Sequence, residues 1–235
     1  MERFFQPAAS MSAAMPARRA GALAALLALL IPHAAARAQA GDAPERWGVE
    51  LFAGAAHSFR TPLHIRQEGE EEIALTARWA TRPFRAPPYY AYRVGWWSRG
   101  HAWEAELVHH KLYLENPPPE VQHFEVTHGY NQVTVNRASP LGGLTVRVGV
   151  GVVIAHTENQ VRGREQRGGG FLGGYHLAGA TTQLALGGRI PFTPNLWLAL
   201  EGKLTGSWAR VPVAGGSATV PNVAAHALAG IGVGR

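Results

Sequence analysis

Leu196-Trp-Leu-Ala-Leu-Glu-Gly-Lys-Leu-Thr-Gly-Ser-Trp208 decides the fold class by its spacing. Leu196, Leu198, Leu200 and Leu204 share one parity, while Trp197, Ala199, Glu201, Lys203, Thr205 and Ser207 share the other. Successive residues of a strand point to opposite faces, so the segment reads as a strand with one apolar face and one small or polar face. The same period of two recurs upstream. Val146, Val148, Val150, Val152 and Ile154 oppose Thr145, Arg147, Gly149 and Gly151, and Tyr90, Tyr92, Val94 and Trp96 oppose Ala91, Arg93 and Gly95.

Working outward, eight such segments follow at about 46–57, 86–98, 101–113, 128–138, 143–156, 174–191, 195–208 and 221–235. They are longer than the five or six residues usual in globular sheets. Their connections alternate in length. Ser98-Arg99-Gly100, Ala138–Gly142 and Phe192–Pro194 are tight turns, whereas 58–85, 114–127, 157–173 and 209–220 read as long loops. An even number of long strands with short turns at one end and long loops at the other is the pattern of an outer-membrane barrel. The aromatic residues Trp47, Tyr89, Tyr90, Trp96, Trp97, Trp103, Tyr113, Trp197 and Trp208 lie near strand ends, as two interfacial girdles would require.

A soluble lipocalin-type barrel is the competing architecture, with the apolar parity inside. The polar parity argues against it. It is rich in small residues and carries charges of both signs, Glu50, Arg93, Glu104, Glu106, Arg147, Glu201 and Lys203, which suits a small lumen packed with ion pairs. The expected fold is therefore all-β: an eight-stranded, antiparallel, up-and-down transmembrane barrel.

Composition agrees. The chain has 235 residues, 28 glycines, no cysteine and 16% charged residues. Disulfide scaffolds, thiolate metal sites and cysteine nucleophiles are excluded, and mean hydropathy near zero with so few charges argues against disorder. The N-terminus accounts for the strongly basic balance. Arg18 and Arg19 precede an Ala/Leu run over 20–31, and Ala38-Gln39-Ala40 closes it, the three parts of a secretory signal peptide. The run is too short to span a bilayer, which needs about 20 residues. Met15, just before the basic pair, is a second candidate start. Cleavage after Ala40 leaves a barrel domain over 41–235. Removing residues 1–40 takes away four arginines and one glutamate, so the net charge falls from +6 to +3 and nucleic acid drops out as a partner. A monomer in the outer membrane is expected.

Chemistry concentrates on the third strand, Glu104-Ala-Glu106-Leu-Val-His109-His110-Lys111-Leu-Tyr113. With Glu104 and Glu106 facing the lumen, alternation sends His110 inward and His109 and Lys111 outward. The 98–100 turn sets His109 opposite Tyr90. Lys111 then belongs at headgroup level, because a charge on the lipid-facing wall costs about 2–4 kcal/mol at mid-bilayer and about 0–1 near the interface. An imidazole beside a cation is a plausible acid/base arrangement. His109, His110, His123, His128 and Glu125 are candidate ligands for a divalent metal, although no spacing is diagnostic. Gly168-Gly169-Gly170 follows no strand-to-helix pattern and reads as loop.

Several blocks resemble the lipid A oxidase family of outer-membrane proteins. They are Trp79-Ala-Thr-Arg82-Pro-Phe84, Pro87-Pro88-Tyr89-Tyr90-Ala-Tyr-Arg93-Val-Gly-Trp96-Trp97, Glu106-Leu-Val-His109-His-Lys111-Leu-Tyr113, Phe124-Glu125-Val-Thr-His128-Gly129-Tyr-Asn131-Gln-Val-Thr134-Val-Asn136 and Glu201-Gly-Lys203-Leu-Thr-Gly-Ser207-Trp208. Ala91 stands where the family more often has glycine, and the C-terminal aromatic of outer-membrane strands is missing from Gly232-Val233-Gly234-Arg235.

The resemblance implies oxidation of the proximal glucosamine of lipid A to 2-aminogluconate, with dioxygen as co-substrate and hydrogen peroxide as product. It leaves the cofactor open, a divalent metal included. In this scheme His109 takes the proton from the anomeric hydroxyl, and His128 or Glu106 orients the partners. Lys111 and the basic loop around Arg164 hold the phosphates of lipopolysaccharide, and Tyr90, Arg93, Asn131, Glu201 and Lys203 complete substrate binding. Two other readings stay open. One is a barrel without catalysis that tethers, adheres or resists host defences through its loops. The other is lipid A deacylation, for which no serine is placed near His109.

Overall fold

The computed structural model describes residues 46–168 and 173–235; the expected signal peptide at 1–40 lies outside the described residues. Fourteen strands occur in chain order: β1 (Arg46–Ser58), β2 (Thr61–Gln67), β3 (Ile73–Ala77), β4 (Trp79–Ala80), β5 (Tyr90–Ser98), β6 (His101–Leu114), β7 (Val121–Leu141), β8 (Leu144–Ala155), β9 (Glu158–Val161), β10 (Arg164–Gln166), β11 (His176–Thr193), β12 (Leu196–Val213), β13 (Gly216–Thr219) and β14 (Asn222–Gly234). Eight of them close a ring. Antiparallel ladders run β1–β5–β6–β7–β8–β11–β12–β14, and β14 returns to β1 with Gly48 opposite Gly234 and Ser58 opposite Ala224. The 98–100 turn is where the sequence places it; the other two come slightly later, at 142–143 and 194–195, because β7 runs to Leu141 and β11 to Thr193. Arg99 and Gly100 have φ of 51° and 78°, the left-handed pair that a two-residue hairpin turn matched to strand twist requires.

The expected long loops are corrected. Much of 58–85, 114–127, 157–173 and 209–220 is strand, and it extends the barrel beyond its ring. β12 continues past Trp208 and pairs β13, which pairs β2, which pairs β3. β7 starts at Val121, and its first residues pair β9, which pairs β10.

One strand displays the reason for both regions. In β12 the inward residues are Ala199, Glu201, Lys203, Thr205 and Ser207, and then Ala209, Val211 and Val213; the outward ones are Leu198, Leu200 and Leu204 up to Trp208, and then Arg210 and Pro212. The polarity of the two faces inverts at Trp208 with no change of parity. From Leu196 to Trp208 the strand advances about 40 Å at about 3.3 Å per residue. At the tilt of about 40° usual in such barrels that is a rise of about 30 Å, the thickness of a bilayer's hydrocarbon.

Below the inversion, Leu51, Val94, Trp96, Trp103, Val135, Val148, Val150, Leu184, Leu204 and Ile231 stand exposed on the outer wall. A water-soluble protein does not carry so extensive an apolar surface. The girdle expectation holds for Trp47, Trp96, Trp103 and Trp208, which are exposed; the first three face one another across β1, β5 and β6. Tyr89 and Trp197 instead point inward, to hydrogen bonds with His226 and Glu50.

The lumen is plugged by charge. Arg93, with its side chain only 2% exposed, lies 2.9 Å from Glu50, 3.5 Å from Glu104, 3.3 Å from Glu106 and 2.7 Å from Glu201. Arg147 bridges Glu104 and Glu201, Lys203 pairs with Glu106 and Glu201, and Arg189 reaches Glu50. Asn136 and Gln183 donate to Glu106 at 2.8 Å each. Gly149 makes this possible, since a Cβ there would collide with Asn136. A layer of His110, His226, Thr205, Tyr89 and Gln132 lies further along the same strands. Past it comes an apolar core of Leu63, Ile65, Trp79, Leu112, Phe124, Tyr130, Val211 and Val213.

Candidate functional site

The ladders break where the ring meets the extension. Between β6 and β7, His110 is opposite Tyr130 but Leu112 is opposite Val126, so one residue of β6 faces three of β7, residues 127–129. On the other side of β7, Tyr130 pairs Ala155 of β8 and Glu125 pairs Glu158 of β9, leaving His156 and Thr157 outside the ladder. Such bulges re-aim side chains and recur beside functional sites. This one brings together His109, Asn131, His128, His156, Glu158 and Tyr175 on the outward side of the wall.

His109 is opposite Tyr90, as the turn register requires, and the two rings stack at 4.8 Å between centroids and 9° between planes; Tyr90 stacks in turn on Tyr92 at 5.9 Å. The His109 Nδ1–H donates to the Asn131 carboxamide oxygen at 2.8 Å, which leaves Nε2 as the bare, acceptor nitrogen; that nitrogen is buried and has no hydrogen-bond partner among the described residues. Gly129 sustains the arrangement. Its φ of 135° is a glycine conformation, and a Cβ there would strike the Asn131 side chain.

Next to this pair, His128 Nδ1 lies 3.1 Å from Glu158 Oε1. The His128 and His156 rings are 4.8 Å apart, His156 and Tyr175 5.1 Å, and the Tyr175 hydroxyl donates to the His128 carbonyl at 2.8 Å.

Several expected site residues are elsewhere. Glu106, Arg93, Glu201 and Lys203 belong to the lumen network and are at most 4% exposed, because they share the inward parity opposite to that of His109. The barrel wall separates them from the rim, so Glu106 cannot orient His109, and the other three cannot hold a substrate there. Contrary to the expectation from sequence, Lys111 does not present its charge to headgroups. It is fully buried, and its ammonium donates to the carbonyls of Arg85 at 2.5 Å and Pro87 at 2.7 Å, because the segment between β4 and β5 folds back over it. Arg164 pairs with Glu70 at 2.7 Å on the extension.

The expected metal set also divides. His110 points inward to Ser58 at 3.2 Å, and His123 lies 3.4 Å from Glu125. Of that set, among the described residues, only His128 joins a group of potential ligands close enough to share an ion, and its companions are His156 and Glu158. Sequence reading missed Arg82 and Arg85 as well. Their guanidinium groups sit 4.5 and 5.5 Å from the Tyr113 ring centre and line an open cleft of about 320 Å³ with Gln122, His123 and Glu125.

The closed ring, the apolar outer wall and the plugged polar lumen define a β-barrel of the outer-membrane type, eight-stranded and antiparallel. No protein-family profile and no curated protein matches the chain. Among solved structures, it is similar to Neisserial surface protein A (NspA) at 7% identity and a TM-score of 0.38, over 80% of this chain and 96% of that one. It is also similar to Ail, the attachment invasion locus protein of Yersinia pestis, in complex with the heparin analogue sucrose octasulfate, at 8% identity and a TM-score of 0.40, over 82% and 100% of the two chains. The fold assignment rests on the ring of ladders itself.

Proposed function

We propose that this chain is a bacterial outer-membrane barrel that works at its extended rim on the glycolipid of the outer leaflet, oxidising the proximal glucosamine of lipid A to 2-aminogluconate with dioxygen. The observation that carries the reading is the density of polar chemistry on the outward side of the wall where the ring meets the extension. Three imidazoles, a carboxylate and two phenols cluster there, within reach of glycolipid headgroups. His109, oriented by Asn131 and Tyr90, is the base for the anomeric hydroxyl. Arg82 and Arg85 replace Lys111 as the cations available to phosphate. The block resemblance supplies the reaction. The hydroxyl carbon gives up two electrons and two protons, dioxygen becomes hydrogen peroxide, and water opens the resulting lactone to the acid.

Lipid A from cells with and without the gene, compared by mass spectrometry, tests this. The expected product carries one extra oxygen on the proximal sugar and is lost in His109→Ala and Asn131→Ala. Unchanged lipid A would overturn the oxidase reading.

The extension favours a second reading, a barrel without catalysis that presents a rigid β surface outside the membrane. Its apolar core holds Arg66, Glu70, Glu72 and Arg164 on the outside. That reading expects His109→Ala to leave the phenotype intact and loss of β2–β3 to abolish it.

A further inference from the structure

We infer that His128, His156 and Glu158 form a binding site for one divalent first-row transition metal ion. One ligand atom of each lies within 4.8 Å of the other two. The His128 and Glu158 atoms, at 3.1 Å, are already at the separation of neighbouring ligands on one ion. With metal–ligand bonds near 2.0–2.2 Å, the third must close by about an ångström or more. His128 has room to do so, since half of its side chain is exposed.

His156 gives the second, independent reason. It is 8% exposed, and its Nδ1 is buried without a hydrogen-bond partner among the described residues. A buried polar nitrogen left so is unfavourable unless something occupies it. The ring is also held in place. Gly168 and Gly174 press so close that a Cβ on either would strike it, Tyr175 packs against it at 5.1 Å, and its backbone N–H donates to the Gly129 carbonyl at 3.0 Å.

The donor set selects the metal. Two imidazoles and one carboxylate suit zinc, iron, cobalt or nickel, whereas calcium and magnesium take oxygen ligands. Three protein ligands leave positions open on such an ion. The site stands whatever the lipid substrate.

Cobalt(II), added alone to the full barrel folded in detergent, is the probe. Expected is one Co²⁺ per chain, with visible d–d bands, displaced by zinc, and at least ten-fold weaker binding in His156→Ala and in Glu158→Gln. His123→Ala, which removes the neighbouring imidazole–carboxylate pair, leaves binding unchanged. Heat-modified gel mobility reports folding. Should His156→Ala fail to fold, the isosteric Glu158→Gln carries the test. Absence of binding to the folded parent, full binding to Glu158→Gln, or loss in His123→Ala would each overturn the site. Lipid A analysis is a separate readout, so failure of the oxidase reading leaves this one to stand or fall by cobalt.

Discussion

The membrane ring and the extension above it are built on the same strands and turned inside out. In the ring, Glu201, Lys203 and Arg93 are inside while Leu204 and Val150 are outside; in the extension, Val211 and Leu63 are inside while Arg210 and Arg66 are outside. β12 passes from one regime to the other within two residues of Trp208. The backbone does the same thing in both, and only the solvent has changed. Lipid reverses which face needs apolar cover, and hydrogen-bond closure of the ring removes the edges that lipid cannot tolerate. The difference teaches where stability comes from. The ring is held by ion pairs that cannot reach water, and the extension by ordinary hydrophobic packing.

That contrast is broken most severely at Arg93. Arg93→Met leaves four carboxylates around an apolar side chain. Stranding a buried charge by removing its partner costs about 3–5 kcal/mol. Urea unfolding in detergent micelles, followed by tryptophan fluorescence, is expected to show a loss of that size. The double substitution Glu106→Gln with Lys203→Met removes a pair instead of stranding one, and it is expected to cost less than Lys203→Met alone. Equal losses would mean that the network acts as packing and not as charge.

The extension should answer to a different lesion. Leu63 is fully buried in its apolar core, and Leu63→Ala is expected to cost about 2–5 kcal/mol there. Because β2 pairs only β3 and β13 among the described residues, the loss falls on the extension. Limited proteolysis is expected to cut between β2 and β3 while heat-modified mobility of the ring stays unchanged. The outer wall separates the regions once more. Val150→Arg, on the lipid-facing side, is expected to cost about 2–4 kcal/mol, whereas Ala74→Arg on the extension's outer face should change unfolding by less than about 0.5 kcal/mol.

Legibility in the sequence followed the same divide. The ring could be read because period two persists over long runs and tight turns fix register, so that even the pairing of His109 with Tyr90 followed from Ser98-Arg99-Gly100. The inward charge set was legible for the same reason. The extension was not, because its strands are short and invert the polarity rule, so Thr61–Gln67 and Gly216–Thr219 look like loop. Lys111 was misplaced because alternation gives direction but not cover, and the carbonyls of Arg85 and Pro87 come from a segment whose path no local pattern encodes. His156 and Glu158 meet His128 only across two broken ladders, which leave no spacing in the chain to read.

The smallest effect expected is electrostatic and belongs wholly to the extension. Glu72, between β2 and β3, is held below the usual carboxylate range by hydrogen bonds from Arg66 and His64. A carboxyl whose folded pKa is depressed contributes stability above its unfolded value of 4.5, and that contribution disappears as the pH falls through the folded value. The carboxylate is open to water and salt, so the effect is confined to the hairpin. Hydrogen exchange of the β2 and β3 amides, corrected for intrinsic pH dependence, is expected to show protection weakening below pH 4.5, and Glu72→Gln should flatten that dependence. Exchange in the ring strands should not respond to Glu72→Gln, since the groups that carry their stability are sealed in the lumen. A ring-wide response would join the two regions into one cooperative unit and undo the division drawn between them.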